Sequence, residues 1–318
     1  MTEKVVDAAL ATIFALLADR PPPPDDLAAQ REQADATMLL IRRPIDPSVE
    51  VRDHEVAVEG GTIRVRTYRP RSEGSLPGYL FIHGGGWSQG TLDTAEVESG
   101  PVAEAVPAVV CSVEYRLAPE HPYPTPLADC VVAYEWFLAH LDELRVDPAR
   151  VAIGGTSAGG NLAVATCLVA RERGLPMPMF QWLEVPGLDL TLGSPSVQEN
   201  AVGYGLTAEN LDKYAGRYAS PEQRSDPLVS PVLASDLTGL PPTVVLTADL
   251  DPVRDDGERL VSRLHEAGAP AVALRVLNHP HGTWIIPVSL AWGVVEAMRT
   301  ATLQAAFAGR LPLAPIPK

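Results

Sequence analysis

The segment Val151-Ala-Ile-Gly-Gly-Thr-Ser157-Ala-Gly-Gly-Asn-Leu-Ala163 joins an apolar run of strand length directly to a helical pattern. Ser157 lies between the two, inside Gly155-x-Ser157-x-Gly159. A serine in this context stands on a strained strand-to-helix turn, and the residues two before and two after it must be small so that the chain can pass closely. We therefore predict that Ser157 is a nucleophile, against the alternative that Gly-x-Ser-x-Gly is an ordinary loop pattern.

Outward from this segment, short apolar runs alternate with helical patterns. Eight runs have the length of strands, and Glu59-Gly60-Gly61 joins the first two as a hairpin. The predicted strands are residues 51–58, 62–68, 78–82, 108–115, 151–155, 179–185, 243–248 and 271–277. This alternation predicts an α/β fold with a mostly parallel eight-stranded sheet flanked by helices. Active sites of such sheets lie at the carboxyl ends of the strands.

The helical patterns give the domain organisation. They cover residues 5–17, 27–41, 127–140, 158–172, 254–267 and 291–307, and four prolines at 21–24 separate the first two. About fifty residues divide two predicted strands, too many for a structureless connection, and 207–218 looks helical. We predict N-terminal cap helices in 1–45, a first core part in 46–186, a cap insertion in 187–240 and a second core part in 241–318.

The composition narrows the class of protein. A formal net charge of −15 and a pI near 4.9 argue against binding to nucleic acid or to an anionic membrane surface. The N-terminal apolar stretch is interrupted by Asp7 and lacks a basic start, so we interpret it as an amphipathic helix rather than a signal peptide or a membrane span. Cys111, Cys130 and Cys167 have no metal-type spacing and indicate a reducing compartment, hence a cytoplasmic location.

Three consecutive glycines follow the strand that ends at Ile82. Backbone N–H groups of such a loop can point into a cavity and stabilise a tetrahedral oxyanion. The predicted oxyanion hole comprises Gly84, Gly85, Gly86 and Ala158, the residue after the serine. A phosphate-binding loop is the alternative, but no Gly-Lys-Ser/Thr follows. His83 precedes the glycines, and we favour a structural role there over a catalytic one.

A serine hydroxyl needs an imidazole to take its proton and a carboxylate to orient that imidazole. Asp251 falls just past the end of a predicted strand and is the predicted acid, with Asp249 as its chief rival. Asp255 and Asp256 begin the next helix and are interpreted as favourable charges at its N-terminus.

The base is expected after the last strand, where His279-Pro-His281-Gly282 offers two histidines. We choose His281, because Gly282 allows a tight turn that aims the ring inward. The His-x-His pair is also compatible with a metal site, but no third ligand lies at a typical spacing, so no metal is predicted. The order Ser157, Asp251, His281 is the order of the α/β-hydrolase fold.

Together these motifs resemble the bacterial hormone-sensitive-lipase family of α/β-hydrolase esterases. The resemblance rests on His83-Gly-Gly-Gly-Trp87, Tyr115-Arg-Leu-Ala-Pro-Glu120, Gly155-Thr-Ser-Ala-Gly159, Asp251-Pro-Val-Arg-Asp255 and His281-Gly282. It implies a Ser157–Asp251–His281 triad, a cap made of the N-terminal helices and the insertion, and no cofactor. It also implies a small-molecule ester substrate of short to medium acyl length, and homodimers are frequent in the family.

Several single residues agree with the family pattern or depart from it. With Thr156 before the serine, the motif is similar to that of the subgroup with Gly-Thr-Ser-Ala-Gly. The other subgroup has Asp at this position. Arg116 and Glu120 are implied to brace the loop near the serine. Thr283 stands where the family usually has Phe and Val253 where it has Leu; the first change lies beside the predicted base and is expected to reshape the pocket.

The motifs do not determine which residues line the pocket or which leaving group the enzyme releases. We predict that Trp87, Leu206, Tyr214 and Tyr218 line the substrate pocket, although Leu206 and the two tyrosines fit the cap core equally well. The same triad cleaves amides and aryl formamides, so an amidase or arylformamidase is an alternative function. A non-catalytic small-molecule receptor of the same fold is another, but related receptors lose the catalytic histidine.

Overall fold

A mixed sheet of eight strands forms the centre of the molecule, and helices cover both of its faces. The computed structural model describes residues 6–18 and 26–311. The strands are β1 Val49–Val58, β2 Gly61–Pro70, β3 Leu76–Ile82, β4 Val109–Glu114, β5 Val146–Thr156, β6 Phe180–Glu184, β7 Thr243–Leu250 and β8 Ala271–Pro280. Their spatial order is β1-β2-β4-β3-β5-β6-β7-β8. All eight predicted strands are confirmed.

The sheet is parallel apart from its first two strands. β1 pairs with β2 and β2 with β4 in antiparallel fashion, whereas every pair from β4 to β8 is parallel. The hairpin turns at Glu59-Gly60, where Gly60 has a φ of +77°. Because the remaining strands run in one direction, the loops that follow β3, β5, β7 and β8 meet at one edge of the sheet.

Nine helices are present among the described residues. They are α1 Ala8–Ala18, α2 Leu27–Leu39, α3 Leu92–Ala105, α4 Thr125–Ala139, α5 Ala158–Glu172, α6 Pro195–Glu199, α7 Ala208–Tyr218, α8 Arg254–Glu266 and α9 Leu290–Phe307. The proline run 21–24 lies outside the described residues. Seven of the helices match predicted patterns; α3 and the short α6 do not.

Helix α3 forms in spite of Gly100 and Pro101, which obscure its pattern in the sequence. A capping box at its start, in which Thr91 and Thr94 bond reciprocally, fixes its first turn. Val102 and Ala103 are buried against the sheet. Tertiary packing therefore outweighs the poor helix propensity of the Gly-Pro pair.

Each face of the sheet carries its own apolar cluster, because successive side chains of a strand point to opposite faces. On β3, Leu80 and Ile82 pack with α4, α5 and α8, whereas Tyr79 and Phe81 pack with α3 and α9. Both clusters are buried. The sheet therefore gives the loops at its carboxyl edge a rigid support.

The insertion 187–240 contains α6, α7 and two 3₁₀ turns, Pro221–Gln223 and Pro231–Leu233. Its two ends belong to the core: Leu188, Val229 and Leu240 are buried in the cluster around α5. Its middle part reaches α2, where Arg217 donates a hydrogen bond to the Gln30 side chain. The part around α7 therefore lies with α2 above the carboxyl edge of the sheet.

Candidate active site

Ser157 stands on the turn between β5 and α5 with a φ of +56°. This left-handed conformation is strained for a residue with a side chain. Its N–H donates to the carbonyl of Glu184 at 2.8 Å, which anchors the turn to β6. A Cβ at Gly159 would lie 2.0 Å from the carbonyl oxygen of Ile82, so only glycine permits this close passage.

The side chains of Ser157, His281 and Asp251 form one hydrogen-bonded chain. The distance from Ser157 Oγ to His281 Nε2 is 2.8 Å, and that from His281 Nδ1 to Asp251 Oδ2 is also 2.8 Å. A carboxylate only accepts, so the Nδ1 proton points to Asp251 and Nε2 is left to accept the serine proton. The arrangement suits removal of a proton from Ser157 during nucleophilic attack.

Asp251 is completely buried just past the end of β7. Its Oδ1 accepts from the N–H of Val253 at 3.0 Å, and its carbonyl accepts from the Asn200 side chain at 3.0 Å. Asp249, the rival acid, is half-buried, lies 3.8 Å from Arg275 and makes no hydrogen bond to His281. Of the two aspartates, only Asp251 is in a position to orient the imidazole.

Asp255 and Asp256 lie in the first turn of α8, as predicted, and they also hold the start of the insertion. Asp256 accepts from the N–H groups of Leu188 and Asp189 at 3.0 Å each and from the Ser194 hydroxyl at 2.6 Å. Burial raises the pKa of Asp256 to about 7. Asp255 accepts from the N–H of Ser196.

The glycine loop lies directly beside Ser157. A Cβ at Gly84 would be 3.4 Å from the Ser157 Cβ. Gly86 has a φ of +58°, and a Cβ there would lie 2.6 Å from the Tyr214 ring. Among the described residues, the N–H groups of Gly85, Gly86 and Ala158 have no hydrogen-bond acceptor. Three backbone donors are thus available next to the serine hydroxyl.

His83 is buried behind the loop, away from Ser157. Its Nδ1 donates to the carbonyl of Gly84 at 2.7 Å, and its ring stacks on Tyr115 with centroids 4.3 Å apart. The Tyr115 hydroxyl donates to the His83 carbonyl at 3.0 Å. Burial lowers the pKa of His83, so the ring is neutral at neutral pH. These contacts hold the glycine loop in place.

A cleft of about 630 Å³ opens in front of Ser157 and His281. Trp87, Leu206 and Tyr214, three of the residues predicted for a substrate pocket, lie along it. Tyr218, the fourth, does not: its side chain is fully buried, and its ring stacks on that of Trp87 with centroids 4.7 Å apart. Tyr218 supports the pocket wall without facing the cleft.

The two histidines of the His-x-His pair bond different partners. His279 is buried and hydrogen-bonds the Leu277 carbonyl at 2.9 Å, whereas His281 bonds Ser157 and Asp251. Within residues 6–18 and 26–311, no group of three His, Cys, Asp or Glu side chains could hold a metal ion. No helix of the same residues is long and apolar enough to cross a membrane.

Comparison with known proteins gives the family of the chain. A family model described as alpha/beta hydrolase fold matches residues 79–285. The chain belongs to the α/β-hydrolases. Within that fold it is a carboxylic-ester hydrolase of the hormone-sensitive-lipase group, as the following relatives show.

Two curated relatives carry esterase names. The carboxylic ester hydrolase LipN of Mycobacterium tuberculosis is 38% identical over 261 residues, which cover 80% of this chain and 69% of LipN. An arylesterase of Saccharolobus solfataricus is 36% identical over 240 residues, covering 75% of this chain and 78% of the relative. A hyperthermophilic esterase from Pyrobaculum calidifontis has a similar solved structure, with a TM-score of 0.88, 35% identity and coverage of 95% and 98% of the two chains.

Sequence reasoning missed a buried ionic cluster behind the serine of this esterase. Glu184, Arg299 and Glu98 lie there, all less than a tenth exposed. Glu184 pairs with Arg299 at 2.7 Å and accepts from the indole N–H groups of Trp182 at 2.7 Å and Trp284 at 2.6 Å. Its carboxylate thus ties β6 to α9 and to the loop that carries His281.

Arg116 and Glu120, which the resemblance implies as braces of the loop near the serine, contact other elements. Arg116 forms a two-point ion pair with the buried Asp129 of α4, at 2.9 and 2.6 Å. Glu120 accepts from Arg31 of α2 at 2.8 and 2.7 Å, and this guanidinium lowers the pKa of Glu120 to about 2. They fasten α4 and α2 to the loop after β4.

Thr283, one of the two departures from the family pattern, begins a 3₁₀ turn directly after Gly282. Its hydroxyl donates to the Pro280 carbonyl at 3.0 Å, and the side chain is buried. The hydroxyl therefore closes the turn that carries His281 and does not face the cleft. Val253, the other departure, does line the cleft.

Proposed function

We propose that this esterase cleaves carboxylic esters through an acyl-enzyme on Ser157. His281 takes the serine proton as Oγ attacks the ester carbonyl, and then gives that proton to the departing alcohol. Asp251 holds the imidazole in the required tautomer and stabilises the imidazolium. Water, activated by the same His281, attacks the acyl-enzyme and releases the acid.

The proposed oxyanion hole consists of the N–H groups of Gly85, Gly86 and Ala158, beside Gly84. Donors that are already oriented stabilise the charge that develops on the carbonyl oxygen without reorganisation. The N-terminus of α5 adds a favourable dipole at the same point. Their lack of other acceptors supports this assignment.

The 2.8 Å contact between Ser157 Oγ and His281 Nε2, facing a cleft, is the observation that carries the proposal. Ser157→Ala should abolish hydrolysis of p-nitrophenyl acetate and butyrate, measured against folded protein checked by circular dichroism. Full residual turnover would overturn the proposal. Labelling of the unchanged protein by a fluorophosphonate probe, and not of the variant, is the matched control.

We also propose a preference for short to medium acyl chains. The cleft of about 630 Å³ falls within the range of small-molecule pockets. A series of p-nitrophenyl esters from acetate to palmitate should give a maximum of kcat/KM below about ten acyl carbons. A maximum at palmitate would contradict this part of the proposal alone.

The cap is proposed to consist of residues 1–45 and the part of 187–240 around α7. Side chains from α2 and α7 line the outer wall of the cleft, among them Met38 and Tyr214. The Arg217–Gln30 hydrogen bond joins the two helices. These contacts support a cap that shapes the pocket.

Homodimer formation and a cytoplasmic location remain predictions. Val272, Leu274 and Leu277 are exposed on the edge strand β8, and an apolar edge of this kind favours pairing with another chain. Sedimentation analysis would test the dimer. Cys111, Cys130 and Cys167 are free and buried, which is compatible with a reducing compartment.

A further inference from the structure

Glu98 is a buried carboxylic acid in the wall of the cleft that contains Ser157. It lies on α3 and is 6% exposed. Its Oε1 accepts a hydrogen bond from the Thr156 hydroxyl at 2.5 Å. Among residues 6–18 and 26–311, no donor bonds Oε2, and this oxygen is not one of the fully buried unpaired atoms, so a molecule in the cleft can reach it. A carboxyl group next to the reacting serine is therefore only half satisfied.

The charges around Glu98 do not balance it. Glu184 and Arg299 form an ion pair at 2.7 Å, and the two indole N–H groups saturate the remaining acceptor sites of Glu184. An ionised Glu98 would thus leave one net negative charge in this buried space. Burial and the nearby Glu184 carboxylate raise the pKa of Glu98 to about 7, against the opposing effect of Arg299.

The opposite, outer wall of the cleft differs in character. Its charged groups, Asp35, Lys213 and Arg217, come from α2 and α7 and are half-buried or exposed, so water solvates them. The wall around Glu98 is formed by buried residues of α3, among them Thr94 and Ala95. Thr94 is already engaged in the capping box at the start of α3. Glu98 is the carboxylate that α3 contributes to the lining of the cleft.

An accessible carboxyl oxygen beside the reacting serine that no protein group bonds can accept a hydrogen bond from a ligand in the cleft. We propose that Glu98 is a specificity-determining residue, whose Oε2 accepts a hydrogen bond from a hydroxyl or ammonium group on the ester substrate. This inference rests on the proposed function of Ser157. The enzyme would then prefer esters whose chain ends in a hydrogen-bond donor over purely aliphatic esters of equal length.

Three p-nitrophenyl esters of matched length test the proposal, those of heptanoic, ω-hydroxyhexanoic and ω-aminohexanoic acid. A second series of hexyl, ω-hydroxypentyl and ω-trimethylammoniopropyl acetates, followed by titration of the released acid, tests the alcohol side of the bond. For each protein, kcat/KM is measured at about pH 8, where the carboxyl of Glu98 is ionised, and is divided by its own value for p-nitrophenyl acetate. This ratio removes any general loss of activity or of folded protein.

The unchanged enzyme is expected to favour a donor-bearing ester in one of the two series, and Glu98→Leu should reduce that preference at least about tenfold, the effect of one buried hydrogen bond. Glu98→Gln keeps an acceptor and should retain the preference for the hydroxyl while losing that for the ammonium. Glu104→Leu, on the exposed side of the same helix, should change neither ratio.

The outcomes separate the two proposals. Hydrolysis of p-nitrophenyl acetate with equal donor-to-aliphatic ratios in the unchanged enzyme and in Glu98→Leu would overturn the role of Glu98 and leave the function of Ser157 intact. Within the acetate series, a lower KM for the trimethylammonio ester than for the hydroxy ester would also overturn it, because that cation donates no hydrogen bond. Absence of turnover with every ester would overturn the proposed function itself.

Discussion

Asp251 and Glu184 are two buried carboxylates close to the same serine, but they face different partners. Asp251 faces His281, whose charge changes with its protonation state, together with one backbone N–H. Glu184 faces Arg299, which is always charged, and two indole N–H groups. The first carboxylate is therefore suited to a reaction in which charge appears and disappears, and the second to a fixed structural link.

A reactive carboxylate and a structural one should respond differently to substitution: loss of the first should lower activity, and loss of the second should lower stability.

Asp251→Asn is expected to lower kcat by about 10⁴-fold, since the amide favours the wrong imidazole tautomer. The thermal midpoint should change little by comparison. Steady-state rates on p-nitrophenyl butyrate check this, with Asp249→Asn as the matched control. If Asp249→Asn causes the larger loss, the roles of the two aspartates are reversed.

Glu184→Gln is expected to lower the free energy of unfolding by about 3–5 kcal/mol, because it leaves the Arg299 guanidinium buried without its counter-charge. Urea unfolding measures this. Adding Arg299→Met should recover part of the loss, whereas Glu120→Gln, which breaks the more exposed pair with Arg31, should cost less than about 1 kcal/mol. A loss below 1 kcal/mol in Glu184→Gln would show that the cluster is not a structural link.

Glu98→Gln should alter how stability depends on pH. The pKa of Glu98 is raised from 4.5 to about 7 in the folded protein, so the folded state holds the proton more tightly than the unfolded state. Its contribution to stability is full below pH 4.5 and is lost as the pH rises to 7. Between pH 4.5 and pH 8, the free energy of unfolding of the variant should therefore rise by about 3 kcal/mol relative to that of the unchanged protein.

The groups that face Glu98 are Thr156, Glu184, Arg299 and the Tyr79 hydroxyl, and they are the same in both proteins. The difference between the two unfolding curves consequently isolates Glu98, although Asp256 also has a pKa raised to about 7. For Glu104→Gln, the difference in unfolding free energy from the unchanged protein should not depend on pH. If the difference for Glu98→Gln is also independent of pH, the pKa of Glu98 is the same in the folded and the unfolded state.

The sequence was sufficient to predict the sheet and the Ser157–His281–Asp251 chain for a local reason. Ser157, Asp251 and His281 each follow a predicted strand, and the glycines beside Ser157 and His281 are themselves turn signals. Parallel strands bring the ends of their following loops to one edge, so residues that are far apart in the chain are placed together by the fold. Local patterns therefore determined a non-local site.

The ionic cluster carried no such signal. Glu184 ends a predicted strand but resembles any polar residue there, and Arg299 reads as one charge in an amphipathic helix. Glu98 lies on α3, whose periodic pattern is interrupted by Gly100 and Pro101. The partners come from α3, β6 and α9, and only the folded chain shows that these side chains share one buried space.

The Glu184 carboxylate satisfies Arg299, Trp182 and Trp284 at once. Neither Glu184 nor Arg299 can therefore be replaced alone without leaving a buried charge unpaired, and loss of Glu184 also leaves two indole N–H groups without an acceptor. Evolution can pass between this cluster and an apolar core only through poorly stable intermediates or simultaneous changes. Among homologous esterases, an aliphatic residue at the position of Glu184 is therefore expected to occur together with an uncharged residue at the position of Arg299. The serine turn would thus be inherited with one complete set of supporting residues or the other.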